Sequence, residues 1–214
     1  MVDIVIFGTG GHAKVVYDII LCQKIYNPVA FVSLNDEMTS FLGIPHYHQN
    51  KIQELELHAG VVAIGDNFIR SQVVEGILNQ KPNFNFVTAV HPTSCLGRDV
   101  VLGAGTVAMA NSVLNIGTKI GRHVVVNTSS SVDHDGDIGQ FASLAPGCVL
   151  GGNVTVGEFS AISLCAQVVH GVKIGSHTVV GAGALVLDDI ENFKVAYGSP
   201  CRVVRTRVAG EKYL

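Results

Sequence analysis

The chain has 214 residues, a formal net charge of −3 and a pI near 6.3, enough for one large or two modest domains around a real core. Charged residues are only 14% and form no basic stripe, so nucleic acid finds little support as a partner, and no run of 18 apolar residues offers a membrane span. Asp3 and the short apolar run Ile4–Phe7 do not make a secretory leader, and five scattered cysteines without CxxC spacing read as reduced thiols of a cytoplasmic protein.

The first predicted element is a buried parallel strand, Val2 to Phe7, that runs into the glycine turn Gly8-Thr9-Gly10-Gly11. A helix follows from Ala13 to about Gln23, with Val15, Val16, Ile19 and Ile20 at helical spacing. Strand, glycine turn and helix form the first half of a βαβ nucleotide-binding unit. Glycines let a ligand approach the backbone, and a helix N-terminus favours anions. The same glycines also fit an ordinary tight turn. A second strand, Val29–Val32, ends in Ser33-Leu34-Asn35-Asp36, where such units often hold a base or ribose. Residues 41–47 read as a loop and edge strand, and Lys51–Leu57 as a short helix. A third strand from Val61 ends in the loop Gly65-Asp66-Asn67, where Asp66 or Asn67 is placed to cap a helix over about Phe68–Leu78. Strand Phe84–Val87 completes an α/β domain over residues 1–88. No linker follows it, so rigid packing against the next domain is expected.

From Val90 a six-residue period takes over. Every sixth position through Val186 is Val, Leu or Ile, with Ala108 the one departure in 17 steps. Gly103, Gly121, Gly139, Gly157 and Gly175 add a period of 18. Small residues such as Thr106, Ser130, Ala142, Cys148 and Ser160 stand four places after the aliphatics. A helix repeats at 3.6, so a period of six means a solenoid of short strands, three hexads to a triangular coil. Aliphatic and small residue both point inward, because side chains alternate along a strand. Stacking at ~4.8 Å per coil makes a column on the order of 25 Å tall. The solenoid spans residues 89–192 and a capping segment follows over residues 193–214, whose Arg202, Arg205 and Arg207 read as solvated surface or as phosphate contacts.

One corner of the solenoid is chemically loaded: Asn127-Thr128-Ser129-Ser130-Ser131-Val132-Asp133-His134-Asp135. Val132 is inward, so His134 lies outside the core. Adjacent carboxylates favour the imidazolium and make a stronger base near neutrality. An exposed turn histidine with no task has the same local sequence.

Hexads such as Ile120-Gly-Arg-His-Val-Val and Val156-Gly-Glu-Phe-Ser-Ala resemble the hexapeptide-repeat acyltransferases, which implies a left-handed parallel β-helix. Over all 214 residues the chain resembles the branch with an added N-terminal Rossmann-like, nucleotide-sugar-binding domain. That branch includes the bacillosamine-pathway UDP-4-amino-sugar acetyltransferases, the perosamine N-acetyltransferases and the sialic acid O-acetyltransferase-like proteins. The resemblance rests on Ile6-Phe7-Gly8-Thr9-Gly10-Gly11-His12, Ala63-Ile64-Gly65-Asp66-Asn67 with Arg70, the His134 corner, Leu144-Ala145-Pro146-Gly147 and Tyr197-Gly198-Ser199-Pro200-Cys201-Arg202. It implies acetyl-CoA as co-substrate, a UDP-, GDP- or dTDP-linked amino sugar as acceptor, a homotrimer with sites at the seams between solenoids, and no metal. By position it implies His134 as catalytic base, Asp135 as the acid beside it, and the Gly152 N–H as oxyanion donor. Gly10, Gly11 and His12 match the turn that holds the sugar nucleotide's phosphates, Asn35 and Asp36 the base contact, and Gly65 and Asn67 the substrate side of the third strand. Ser143, Leu164 and Ala182 match acetyl-CoA contacts, with Ser143 standing where relatives often have His.

Three other readings remain. A sugar or sialic acid O-acetyltransferase keeps the fold, but leaves the N-terminal domain without a ligand. A β-helical zinc carbonic anhydrase needs two histidines about five apart on one coil, whereas His123 and His134 are 11 apart and His170 and His177 are 7 apart. A non-catalytic nucleotide-binding scaffold does not explain the Asp133-His134-Asp135 cluster.

Overall fold

The structure, a computed structural model, describes residues 1–213. The N-terminal sheet contains β1 (Val2–Phe7), β2 (Tyr26–Ser33), β3 (Ser40–Phe41), β4 (Ile44–His48), β5 (Ala59–Val62) and β6 (Asn85–Phe86). Helices α1 (Gly11–Gln23) and α2 (Asn67–Gln80) cover it. The order is β3-β4-β2-β1-β5-β6, parallel throughout except for the β3–β4 hairpin. Ile4 and Ile6 face α1 with Ala13, Val16 and Ile20, while Val5 and Phe7 face α2 with Val74 and Ile77. Burial on both faces explains why Ile4–Phe7 reads as an unbroken apolar run. The domain differs from the sequence reading in detail. Strand β2 starts at Tyr26, because pairing from Val2↔Tyr26 recruits Asn27 and Pro28, which carry no strand signal. The expected helix Lys51–Leu57 is a 3₁₀ turn, Gln49–Glu54, that buries only Ile52. Asp66 caps α2 through its carboxylate, which accepts from Phe68 N–H and Ile69 N–H at 2.9 Å.

From Ala89 the chain winds as a parallel solenoid whose two-residue strands fall on three faces. Ala89–Val90, Val107–Ala108, Val125–Val126, Ser143–Leu144, Ala161–Ile162 and Val179–Val180 stack on the first face. The strand Ser131–Val132 lies on the second face and Asp137–Ile138 on the third. The inward aliphatics are buried from Leu114 to Val186, each worth roughly 1.5–3 kcal/mol of transfer free energy. The first coil is less covered, with Leu96 41% exposed and Val90 and Leu102 only partly buried, because no coil lies beneath it. The inward small residues do more than fit. Thr106 Oγ1 donates to Gly121 O at 2.8 Å and Ser160 Oγ to Gly175 O at 2.6 Å, so buried hydroxyls satisfy carbonyls at the turns.

The turns between the third and first faces carry His123, Phe141, Phe159, His177 and Phe193, all at φ between +54° and +59°. Their rings stack with centroids 4.7–5.2 Å apart, forming a continuous ladder down one edge. The C-terminal segment ends the column by pairing: Lys194–Tyr197 adds to the first face and Arg202–Thr206 pairs antiparallel to it. Arg207 is not solvated surface. It is buried, donates to His177 O and lies under the Tyr213 ring.

The two domains are joined tightly. Val107, Met109 and Val125 of the first face share one apolar cluster with α1 and β1. Arg70 of α2, 1% exposed, donates to His123 O, Phe141 O and Ala142 O of the solenoid and to Ile64 O, Gly65 O and Asn67 Oδ1 of its own domain. Every guanidinium nitrogen is used, which is the condition for burying that charge.

Candidate active site

His134 stands at the turn from the second to the third face, just past Ser131–Val132. Two carboxylates organise it. Asp133 Oδ1 accepts from His134 N–H and from Asn115 Nδ2, both at 2.8 Å, which fixes the turn. Asp135 Oδ2 lies 2.9 Å from His134 Nδ1. A carboxylate only accepts, so Nδ1 carries the proton and Nε2 presents its lone pair. The hydrogen bond to Asp135 raises the imidazole's pKa above its ordinary value, with the charges of Asp133 and Asp135 adding to the effect.

Two glycines on adjacent coils make this geometry possible. A Cβ on Gly117, at φ +75°, would lie 2.6 Å from Asp135 Oδ1. A Cβ on Gly152 would lie 2.4 Å from His134 Nε2. One glycine admits the acid and the other admits the working end of the base. The Gly152 turn bonds through its neighbours, Gly151 N–H to Val168 O and Asn153 N–H to His134 O. That leaves the Gly152 N–H with no acceptor among the described residues, beside Nε2. Chemically, the corner offers a lone pair held in a fixed direction and a free backbone donor next to it. Gly117 is a site residue the sequence reading missed; it sits 18 before Asp135, the same stacking interval as the other glycines.

A second site lies in the N-terminal domain. A cavity of about 700 Å³ opens at the C-terminal ends of β1, β2 and β5, where open α/β sheets bind ligands. Gly10, Gly11, His12, Leu34, Gly65 and Asp66 are among its lining residues. A Cβ on Gly8 would meet Ala63 O at 2.7 Å, so this glycine is needed for β1 and β5 to approach. Gly10 and Gly11 have open space instead, which leaves the backbone at the start of α1 accessible to a ligand. His12 Nε2 is buried without a partner, and burial, followed by the charge of Arg70, pushes the ring's pKa down to about 4. The cavity wall thus carries a neutral ring with an unused nitrogen.

Three sequence-predicted residues lie off this cavity. Asn67 is 1% exposed and its side chain binds Phe159 O, Ser160 O and Arg70, so it fastens the domains and does not face the substrate side of the strand. Asn35 and Asp36 lie just past the lining residue Leu34, in an exposed turn where Asn35 Oδ1 accepts from Glu37 N–H and Asp36 meets His48. On the solenoid, Leu164 and Ala182 follow first-face strands at equivalent turns, and both are exposed. Ser143 is half-buried, with its hydroxyl 3.4 Å from the Tyr213 hydroxyl of the C-terminal segment. No three His, Cys, Asp or Glu side chains among the described residues cluster with metal-binding geometry.

The α/β domain packs on the first face, whereas His134 sits on the opposite edge, where the second and third faces meet. Within one chain, the α/β domain and the imidazole therefore lie on opposite sides of the solenoid.

This architecture is a Rossmann-like domain followed by a left-handed β-helix of hexapeptide repeats, the class defined by transferases of acyl groups. The family described as PglD N-terminal domain matches residues 3–77. Perosamine N-acetyltransferase from Caulobacter crescentus, solved with CoA and GDP-perosamine, is 34% identical, covering 95% of this chain and 97% of that one at a TM-score of 0.88. The acetyltransferase domain of PglB from Neisseria gonorrhoeae, solved with acetyl coenzyme A, is 30% identical over 94% of this chain and 98% of that one, with a TM-score of 0.86. GDP-perosamine N-acetyltransferase from Escherichia coli O157:H7 is 31% identical over 122 residues, 57% of this chain and 54% of that protein. The match thus spans about half the length of such curated relatives. The chain belongs to the PglD-like hexapeptide-repeat N-acetyltransferases. No helix among the described residues is long and apolar enough to cross a membrane.

Proposed function

We propose that this protein transfers the acetyl group of acetyl-CoA to the amine of a nucleotide-linked 4-amino-deoxyhexose, a building block for a surface glycan or glycoprotein. The observation that carries this reading is the His134–Asp135 pair beside the free Gly152 N–H. His134 Nε2 takes a proton from the amine as nitrogen adds to the thioester carbon. Asp135 orients the ring and stabilises the imidazolium. Gly152 N–H donates to the tetrahedral oxyanion. The oxyanion collapses, the C–S bond breaks and CoA leaves, with no acyl-enzyme. Crystal structures of the Caulobacter relative with one histidine replaced by asparagine or alanine, each holding CoA and GDP-perosamine, support a histidine at the centre of the chemistry.

The acceptor's nucleotide occupies the N-terminal cavity, its phosphates on Gly10, Gly11 and the start of α1, with His12 as a polar contact. Gly65 lines the same wall, and Asn35 and Asp36 stand at the rim where a base would emerge. Since the α/β domain and the base lie on opposite sides of the solenoid within one chain, the working site forms between copies: one chain's cavity presents the sugar to a partner's His134. A homotrimer, with acetyl-CoA in the groove along Leu164 and Ala182 and near Ser143, satisfies this. The chemistry requires no metal.

Acetyl-CoA consumption measured against a panel of UDP-, GDP- and dTDP-linked amino sugars tests the reading. It expects turnover with one nucleotide-linked 4-amino sugar and none with its 4-hydroxy counterpart. Turnover of free sialic acid, without response to any nucleotide-linked amino sugar, would overturn it in favour of O-acetylation.

A further inference from the structure

The corner that carries His134 repeats up the column. Register stacks Val132, Leu150 and Val168, so the second residue after each, His134, Gly152 and His170, forms one column at this edge. Because Gly152 has no side chain, the two imidazoles approach across it to 6.2 Å between centroids, tilted by 48°. His134, the free Gly152 N–H and His170 therefore line one slot. The charged and titratable groups around it are Asp133 and Asp135 on the His134 turn and, by register, Asp188 one coil beyond His170. His170 is exposed, belongs to no core cluster and has no side-chain hydrogen bond among the described residues. Nothing structural accounts for it.

We propose that His170 is a second catalytic imidazole of the acyl-transfer slot, the acid that protonates the departing CoA thiolate. The proposal rests on the acetyl-transfer reading above. With the acyl carbon against His134 and its oxygen on Gly152 N–H, the attached sulfur has His170, the next ring of the column, as its other neighbour. His134 is poorly placed to serve both sides. Its Nδ1 is tied to Asp135 at 2.9 Å and its Nε2 has just taken the amine's proton. The step balances as follows. The amine lone pair forms the C–N bond, its proton goes to His134, the oxyanion re-forms the carbonyl, and the C–S electron pair goes to sulfur. The thiolate takes a proton from the His170 imidazolium, giving CoA thiol and neutral imidazole. Solvent then removes one proton from His134 and returns one to His170.

Two measurements on the full chain test this. His170→Ala lies on an exposed turn and should melt like wild type. With the acceptor that wild type uses, kcat should fall by roughly 10²-fold, the usual worth of a positioned acid, while KM for acetyl-CoA holds. Free imidazole should restore part of the rate. Unchanged kcat, or a rise in KM alone, overturns the proposal. The second measurement needs no acceptor. Calorimetry at pH 8 should show wild type binding CoA more tightly than desulfo-CoA, and His170→Ala should erase that difference without weakening desulfo-CoA. Equal loss for both ligands, or no loss, overturns the proposal even if the acceptor class has been assigned correctly. Turnover failing with every panel acceptor while this sulfur preference persists would instead count against the acceptor reading alone.

Discussion

Two edges of the same solenoid carry histidines on the same backbone and give them opposite chemistry. On the edge between the third and first faces, His123 is packed between Gly105 and Phe141, against Phe86, with neither ring nitrogen bonded. Burial, helped by the charges of Arg122 and Arg70, pushes its pKa down to about 3. On the edge between the second and third faces, His134 is half-exposed, bonded to Asp135, and raised above its ordinary value. Both turns contain a residue at positive φ, His123 itself at +55° in one and Asp135 at +58° in the other. What differs is the column above and below. One edge is filled by rings from His123 to Phe193; the other is cleared by Gly117 and Gly152. The scaffold supplies position, and the neighbours one coil away decide whether an imidazole is a packing plate or a base.

The largest effect that would sharpen this contrast is catalytic. His134→Ala should lose roughly 10²–10⁴ in kcat with its melting temperature unchanged, measured as CoA release with the panel acceptor. Gly152→Ala should lose rate as well, because the added methyl displaces Nε2. A variant at His134 that turns over like wild type breaks the assignment.

A stability test comes next. Arg70→Met leaves carbonyls of both domains without donors at a buried junction. A cost of at least ~3 kcal/mol is expected, seen as a fall of roughly 6–12 °C in melting temperature for a chain of this size. An unchanged melting temperature would mean that the apolar cluster alone joins the domains.

The packed edge makes its own prediction. His123 binds no proton until about pH 3, whereas in the unfolded chain it titrates near 6.5. Between those values the unfolded state holds more protons, so stability falls as pH falls, by about 2 kcal/mol for this group at pH 5. His12, pushed down to about 4, acts in the same direction. His123→Phe keeps the stack, removes two unpartnered nitrogens, and should narrow the difference in denaturant midpoint between pH 7 and pH 5. An equal acid sensitivity in the variant would contradict the burial argument.

The smallest effect is a displacement along the pH axis. A base must be neutral to act, so kcat/KM should rise through the pKa of His134. Asp135→Asn removes the bond that raises it, and the rising limb should move to lower pH as the maximum rate drops. A limb that stays in place would assign it to another group.

The inward face of the solenoid was legible in the sequence because each coil repeats the same burial. The period starting at Val90 phases Val132 inward and so puts His134 outside. The aromatic ladder was equally periodic, with His123, Phe141, Phe159 and His177 spaced by 18, yet it stayed hidden behind the aliphatic period. Gly117 and the His134–Gly152–His170 column are visible only once residues 18 apart are stacked. The N-terminal domain has no repeat to phase it. Its strand alone suggests a place for Asn67, while the side chain answers to carbonyls more than 90 residues away.

An NMR titration of the histidine rings in one sample tests the central claim most directly. The His134 resonance is expected to titrate above the ordinary histidine value, and His123 to show no titration until the protein unfolds in acid. A His134 that titrates at or below the ordinary value, or a His123 that titrates near neutrality in the folded protein, would contradict it.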